Sequence, residues 1–470
     1  MSWTDLLAPI KQASKLELPA LARLAGPLIA AQMAQVAMVF TDTLMMGRLG
    51  AEALAGGALG GSLYNFLFIC ASGVLAGVAN GVAIRHGAGD RAGVRGFSQA
   101  GIWMALLLAG GNMLVLAQLF WLLPLLGLSP ASTSGGLAYL SGLIWAMPAS
   151  LLFVSLRGFA SGLGHAGPIM HITLLGALAN VLLNGLFIQA GFGLQGIGWA
   201  TTLVMIGMSL ALALFLRRSR RLAGYALRQG LWRWPAESMR ALLKLGLPIG
   251  GTYAVESSLF TGAALAMGYI NEVSLAAHQI AVQAVYVAFM VPVGISYAAT
   301  ICIGQHYGAG QLTRALHTGR LALLSGTLLM LGFAVLFWCW PHAVVGLFID
   351  LNDPANHELV TLAISLLAIA AWFELFDGCQ CIAMGCLRGL GQSNWSFAIG
   401  ALGYCALGLP AALALGFIAH WQAAGIWWGM ALGLACTAIG LVVAFERVVQ
   451  RWRQADSALR LQHPIERMAA

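Results

Sequence analysis

The feature that most limits what this chain can fold into is a series of continuous apolar runs, each reaching about 20 residues or more, separated by short polar segments. About 20 apolar residues are what an α-helix needs to cross the roughly 30 Å hydrocarbon core of a bilayer. Lipid offers no partner to a bare backbone polar group, so only helices and closed barrels span it, and a barrel would alternate apolar and polar residues. The runs therefore predict an all-α polytopic membrane protein. Composition agrees: 60% of the 470 residues are hydrophobic and 9% are charged, with a mean hydropathy of +0.84, whereas soluble domains carry about 25% charged residues.

Twelve spans are predicted, at 24–46, 54–84, 98–126, 136–160, 167–190, 194–217, 241–268, 275–304, 319–348, 358–387, 394–419 and 423–446. The polar, basic stretch Met1–Arg23 precedes a first run too long for a cleavable signal, so that run reads as a permanent span. Cytoplasmic loops hold most Lys and Arg in such proteins. With both termini cytoplasmic, every Lys and Arg except Arg48 falls on the inner side, while Glu52, Glu272, Asp350, Asp353 and Glu358 fall outside. The net charge of +8 is thus spread over many inner segments and calls for no nucleic-acid partner. The segment Arg217–Lys244 is the longest hydrophilic stretch, with Trp232 and Trp234 suited to a membrane interface.

The chain repeats itself. A shift of 221 residues lays Pro27 on Pro248, Met46-Gly47 on Met267-Gly268, Leu54-Ala55 on Leu275-Ala276, Gly73 on Gly294, and the Gly-Ala-Gly at 87–89 on that at 308–310. Further on, Gly158, Gly162 and Gly164 match Gly385, Gly389 and Gly391 at a shift of 227, and Gly196-Ile197 matches Gly425-Ile426 at 229. The expected organisation is a six-helix lobe at 1–216, a basic cytoplasmic linker at 217–240, a second six-helix lobe at 241–446 and a cytoplasmic tail at 447–470. Six is even, so the second half enters the membrane as the first does. Parallel repeats of this kind recur in secondary transporters that work by alternating access.

Within these spans a few polar residues stand out, because a charge at the bilayer centre costs about 2.5–3.5 kcal/mol on insertion scales and such residues face a cavity or a partner rather than lipid. Glu374 and Asp377 lie three residues apart in "WFELFDGCQCIAMGCLRGLG" and share a helix face. Asp42 lies in the first span, where the second half has Ala263, and Glu256 lies in the seventh, where the first half has Gln35. The repeats therefore keep different acids. Gln35 is seven residues from Asp42, near one helix face, and Asn180 and Asn184 form an i, i+4 polar pair in the fifth span; interhelical hydrogen bonding and ligand binding are both open to the asparagines.

The segments "VFTDTLMMGRLGAEALA" and "FDGCQCIAMGCLRGLG", with Glu256 in the seventh span, resemble the multidrug and toxic compound extrusion (MATE) family in its bacterial NorM-like branch, and the six-plus-six layout extends the resemblance to the whole chain. The resemblance implies a two-lobed, V-shaped exporter of the bacterial inner membrane, acting as a monomer among membrane lipids. It also implies antiport of lipophilic organic cations against entering H+ or Na+. Asp42, Glu256 and Asp377 would then be coupling acids and Asn180 and Asn184 cavity residues; Glu374 departs from the family pattern, as a second cation ligand or as a partner for Asp377.

Aromatic and Met side chains suit greasy cations, and Met33, Phe40, Met267, Tyr286 and Phe373 are candidates for contact. The eight Cys lie in spans and read as small hydrophobes, and His171 and His278 as polar packing. Pro27 and Pro248 read as helix starters. No phosphate-binding loop, nucleophile motif or metal-ligand cluster is present in the sequence, which argues against an ATP-driven pump, an intramembrane enzyme and a bound cofactor. A flippase for lipid-linked oligosaccharides shares the wider superfamily shape, but it would need basic residues in its cavity, and the mid-membrane charges here are acidic.

Overall fold

The computed structural model describes residues 3–122, 130–225, 229, 234–351 and 353–462. Trp232, part of the expected linker and the tail from 463 onward lie outside the described residues. The major helices are α1 (Trp3–Arg48), α2 (Ala51–Gly87), α3 (Arg91–Leu122), α4 (Pro130–Leu143), α5 (Ala146–Gly162), α6 (Gly167–Gln189) and α7 (Gly193–Arg218), followed by the short α8 (Arg220–Ala223). The second half continues with α9 (Ala236–Ile270), α10 (Glu272–Gly308), α11 (Leu312–Cys339), the short α12 (Pro341–Val345) and α13 (His357–Gly389). It ends with α14 (Ser393–Ala401), α15 (Leu409–Leu413) and α16 (Gln422–Gln462). Among the described residues ten helices are long and apolar enough to cross a membrane, or eleven if α4 and α5 count as one broken span. The expected seventh span is the 35-residue α9, whose centre is diluted by Gly250, Gly251, Glu256, Ser257 and Ser258.

Three local readings are corrected. Pro27 and Pro248 do not start helices: both lie inside α1 and α9, because the preceding segments are themselves helical. The span expected at 136–160 is bent by 50° between α4 and α5. Pro148 explains the break, since its ring clashes with the carbonyl four residues back, that of Ile144, where the helix ends. The span expected at 394–419 is interrupted by π-helical turns at Leu402–Gly408 and Ala414–Ile418, around Pro410. Of the cysteines, Cys302 and Cys386 are buried, while Cys339, Cys405 and Cys436 are exposed on the chain's surface.

Packing divides the chain into two compact units, one of residues Arg23–Ser257 and one of Met1–Ala22 with Ser258–Ala470. The boundaries fall inside α1 and α9. Apolar transfer does little to join helices already in lipid, so small residues and interhelical hydrogen bonds do the joining. In the first unit Thr202 Oγ1 donates to Gly142 O (2.7 Å) and Ser209 Oγ to Ala149 O (2.5 Å). In the second, Ser296 Oγ donates to Cys381 O (2.7 Å) and Thr300 Oγ1 to Gly385 O (2.9 Å), tying α10 to the central α13.

The sequence repeat is written into the backbone. At the end of α2, Ala88 N donates to Ile84 O, Gly89 N to His86 O and Asp90 N to Arg85 O; at the end of α10, Ala309, Gly310 and Gln311 donate to Gln305, Tyr307 and His306 in the same pattern. Gly89 (φ 72°) and Gly310 (φ 71°) take the left-handed conformation that these turns require. A Cβ on Gly162 would lie 2.9 Å from Ala79 O, and one on Gly389 2.9 Å from Thr300 O, so α5 on α2 and α13 on α10 make the same close crossing.

Candidate functional site

In the first unit Asp42 is the centre of a polar cluster made by α1, α6 and α7. The residue is 7% exposed. Asn184 Nδ2 donates to Oδ1 at 2.6 Å, Asn180 Nδ2 to the same oxygen at 3.1 Å, and Thr201 Oγ1 to Oδ2 at 2.8 Å. The asparagines are fully buried and joined to each other, Asn184 Nδ2 to Asn180 Oδ1 at 3.3 Å. Asn184 Oδ1 is left with no hydrogen-bond partner. The structure thus brings together Asp42, Asn180 and Asn184 and adds Thr201, which sequence reasoning missed. Among the described residues, the ion pairs do not include Asp42. Gln35 does not join this cluster: its Oε1 accepts from Arg157 Nη1 at 3.2 Å, beside Gln32 Oε1 at 2.9 Å. Seven residues along a helix bring Gln35 near the line of Asp42 but two turns away from it, within reach of the guanidinium on α5.

Glu256 lies half-buried on the part of α9 that belongs to the first unit. Glu374 and Asp377 lie on α13 in the second unit, 0% and 2% exposed. Gln380 Nε2 donates to Asp377 Oδ1 at 2.8 Å, and the hydroxyl of Tyr404 donates to Gln380 Oε1. Neither oxygen of Glu374 has a hydrogen-bond partner. A fully buried carboxylate with no donor is costly as a bare anion, and a bound proton or small cation removes that cost. Beside this pair runs an aromatic column: Phe260 on Phe373 (5.9 Å), Phe373 on Trp427 (5.5 Å) and Trp427 on His278 (5.7 Å). His278 Nδ1 and Trp427 Nε1 are also unpartnered.

Of the apolar candidates, Phe373 and Met267 are fully buried, while Met33, Phe40 and Tyr286 are exposed on the chain's surface. A second carboxylate missed in the sequence is Glu17, 5% exposed. Its Oε2 lies 2.9 Å from His306 Nε2 and accepts from Thr318 Oγ1 at 3.2 Å, and its Oε1 lies 3.3 Å from Arg314 Nε, fixing the start of α1 to α10 and α11.

Long apolar helices laid out twice, with carboxyl groups in their interior, define a polytopic membrane transporter. The MatE family model matches residues 27–186 and 248–413, two segments whose starts and ends keep the sequence repeat's spacing. The chain is 53% identical over 438 residues to a protein named probable multidrug resistance protein NorM from Pseudomonas aeruginosa, covering 92% of this chain and 90% of that one. It is 51% identical over 439 residues to the same-named protein of Pseudomonas syringae pv. tomato, covering 92% and 95%. The fold matches that of a eukaryotic MATE transporter at a TM-score of 0.84 and 18% identity, over 94% of this chain and 99% of that one. A MATE structure in a bent conformation matches at 0.85 and 19%, over 95% and 99%. The chain belongs to the MatE family, a family of membrane transporters and not of enzymes.

Proposed function

We propose that this protein is a secondary active multidrug exporter of a bacterial inner membrane. It exchanges lipophilic organic cations for entering H+ or Na+ by alternating access, as a monomer with both termini cytoplasmic. Asp42, Glu256, Asp377 and Glu374 are the coupling acids, and Asn180, Asn184, Thr201 and Gln35 the polar groups around them. The observation that carries this reading is Asp42: a buried carboxylate with three hydrogen-bond donors and no Lys or Arg paired to it among the described residues. A buried carboxylate calls for a positive partner, fixed or mobile. One kept for exchange holds its place through neutral donors and leaves its charge to a mobile ion.

Antiport then needs competition alone, since a site that holds either the coupling ion or the drug moves one inward for the other outward. Each elementary charge entering through the membrane potential supplies about 2.3 kcal/mol per 100 mV, and each charge leaving on the drug costs the same. One-for-one exchange of a monovalent cation is therefore driven by the ion's concentration gradient, about 1.4 kcal/mol for each tenfold ratio. Purified protein in liposomes, given an imposed pH or sodium gradient and ethidium, tests the reading. Ethidium is expected to move against its own gradient when one of the two ion gradients is imposed and not when both are absent. Equal ethidium movement with and without ion gradients, or transfer of a lipid-linked oligosaccharide in its place, would overturn it.

A further inference from the structure

Gln380, which donates to Asp377, and Tyr404, which donates to Gln380, have no role in the reading above. Gln380 lies three residues from Asp377 on α13, and both Gln380 and Tyr404 are 1% exposed. Tyr404 comes from the π-helical turn Leu402–Gly408. That turn is held backbone to backbone on α16, for a Cβ on Gly433 would lie 2.4 Å from Gly408 Cα. π-helical turns concentrate at functional sites.

The direction of the two hydrogen bonds matters. A phenol has one hydrogen to donate, and Tyr404 spends it on Gln380 Oε1. The amide is thereby turned so that its NH2 group, not its oxygen, faces Asp377 Oδ1. A sodium ion shared between Asp377 and Gln380 would need the amide oxygen, because hard cations are bound by oxygen ligands. A proton needs only the carboxylate.

Building on the assignment of Asp377 as a coupling acid, we propose that Tyr404 and Gln380 are positioning residues that make Asp377 a site for a proton rather than for sodium. Tyr404 does this by occupying the amide oxygen. A proton taken up on the other carboxylate oxygen leaves Oδ1 accepting from the Gln380 NH2 and the Tyr404 hydroxyl on Gln380 Oε1, so the pair holds its orientation.

The test compares ethidium transport in liposomes driven by a pH gradient and by a sodium gradient. The wild type is expected to respond to the pH gradient alone. Tyr404→Phe keeps the ring but frees the amide oxygen; its proton-driven rate is expected to fall at least fivefold while a sodium-driven rate emerges. Gln380→Met removes both hydrogen bonds and supplies no oxygen, so it is expected to lose proton-driven rate without gaining a sodium-driven one. An unchanged ratio of proton- to sodium-driven rates in Tyr404→Phe overturns the proposal, as does a wild type driven by sodium. Asp377→Asn tests the underlying assignment separately: loss of driven transport supports it, and retained transport removes it whatever the Tyr404 variant does.

Discussion

Asp42 has three donors around it and Glu374 has none, and this contrast separates the two acids by chemistry that residue type alone does not reveal. Thr201→Val deletes one donor to Asp42 without changing shape, removing a hydrogen bond to a charged group worth about 1.5–3 kcal/mol. The expected result is a gain of coupling-ion affinity of roughly tenfold or more, because the lost donor stabilises the ion-free carboxylate, read from the ion concentration at half-maximal ethidium transport, with the assembled protein still intact by size-exclusion chromatography. Asp42, Glu374, Asp377, Asn180 and Asn184 were legible in the sequence because charge and amide groups are rare in apolar runs. Thr201 and Tyr404 were not, because hydroxyl and amphipathic side chains are common in membrane helices and take their meaning from what they touch, and Gln380 was masked by the costlier charges of Glu374 and Asp377 on the same helix. Glu17 escaped for the opposite reason, lying in a polar stretch where an acid draws no notice.

At the scale of helices and turns, the two halves solve one corner differently. The turn after α6 uses Gly191 (φ 82°) and Gly193 (φ 55°); 229 residues later the turn before α16 places His420 (φ 59°) and Gln422 (φ 50°) in the same left-handed region. Non-glycine residues there cost about 1–2 kcal/mol, and a glycine returns part of the gain through its freer unfolded chain. His420→Gly is therefore expected to stabilise the protein by about 0.5–1 kcal/mol, and Gly191→His to destabilise it, both read as shifts of thermal melting in detergent. The helix-end ion pairs also differ in weight. Glu17 is buried with three partners, and Glu17→Gln is expected to cost about 1–3 kcal/mol by leaving buried polar groups badly matched. The Arg320–Glu446 pair, whose side chains are 52% and 27% exposed, is expected to cost under about 1 kcal/mol when Arg320 is replaced by Ala. The bend between α4 and α5 and the π-helical turns were hidden by unbroken hydrophobicity. The cues were Pro148 and Pro410, whose effect depends on whether neighbouring helices accept the freed carbonyl.

Over the whole molecule, hydropathy and the repeat were enough to reach a helical, twice-repeated membrane protein, because apolar runs are imposed by lipid and a repeat shows in the sequence itself, neither depending on particular contacts. How packing groups the helices was not legible, since the units' boundaries fall inside the continuous helices α1 and α9. The orientation is checkable on a cysteine-free background: a cysteine placed at Asp353 is expected to react with a membrane-impermeant maleimide added to intact cells, and one placed at Ser219 to react only after lysis. Reaction of both from outside would reverse or break the topology. The central claim, that an organic cation and a small coupling ion take turns at buried carboxylates, is tested most directly by adding tetraphenylphosphonium to purified protein in weakly buffered detergent solution and measuring released ions. Release of about one proton or sodium ion per organic cation bound, lost in Asp42→Asn combined with Asp377→Asn, is the expected result; saturable binding of the organic cation with neither ion released would contradict it.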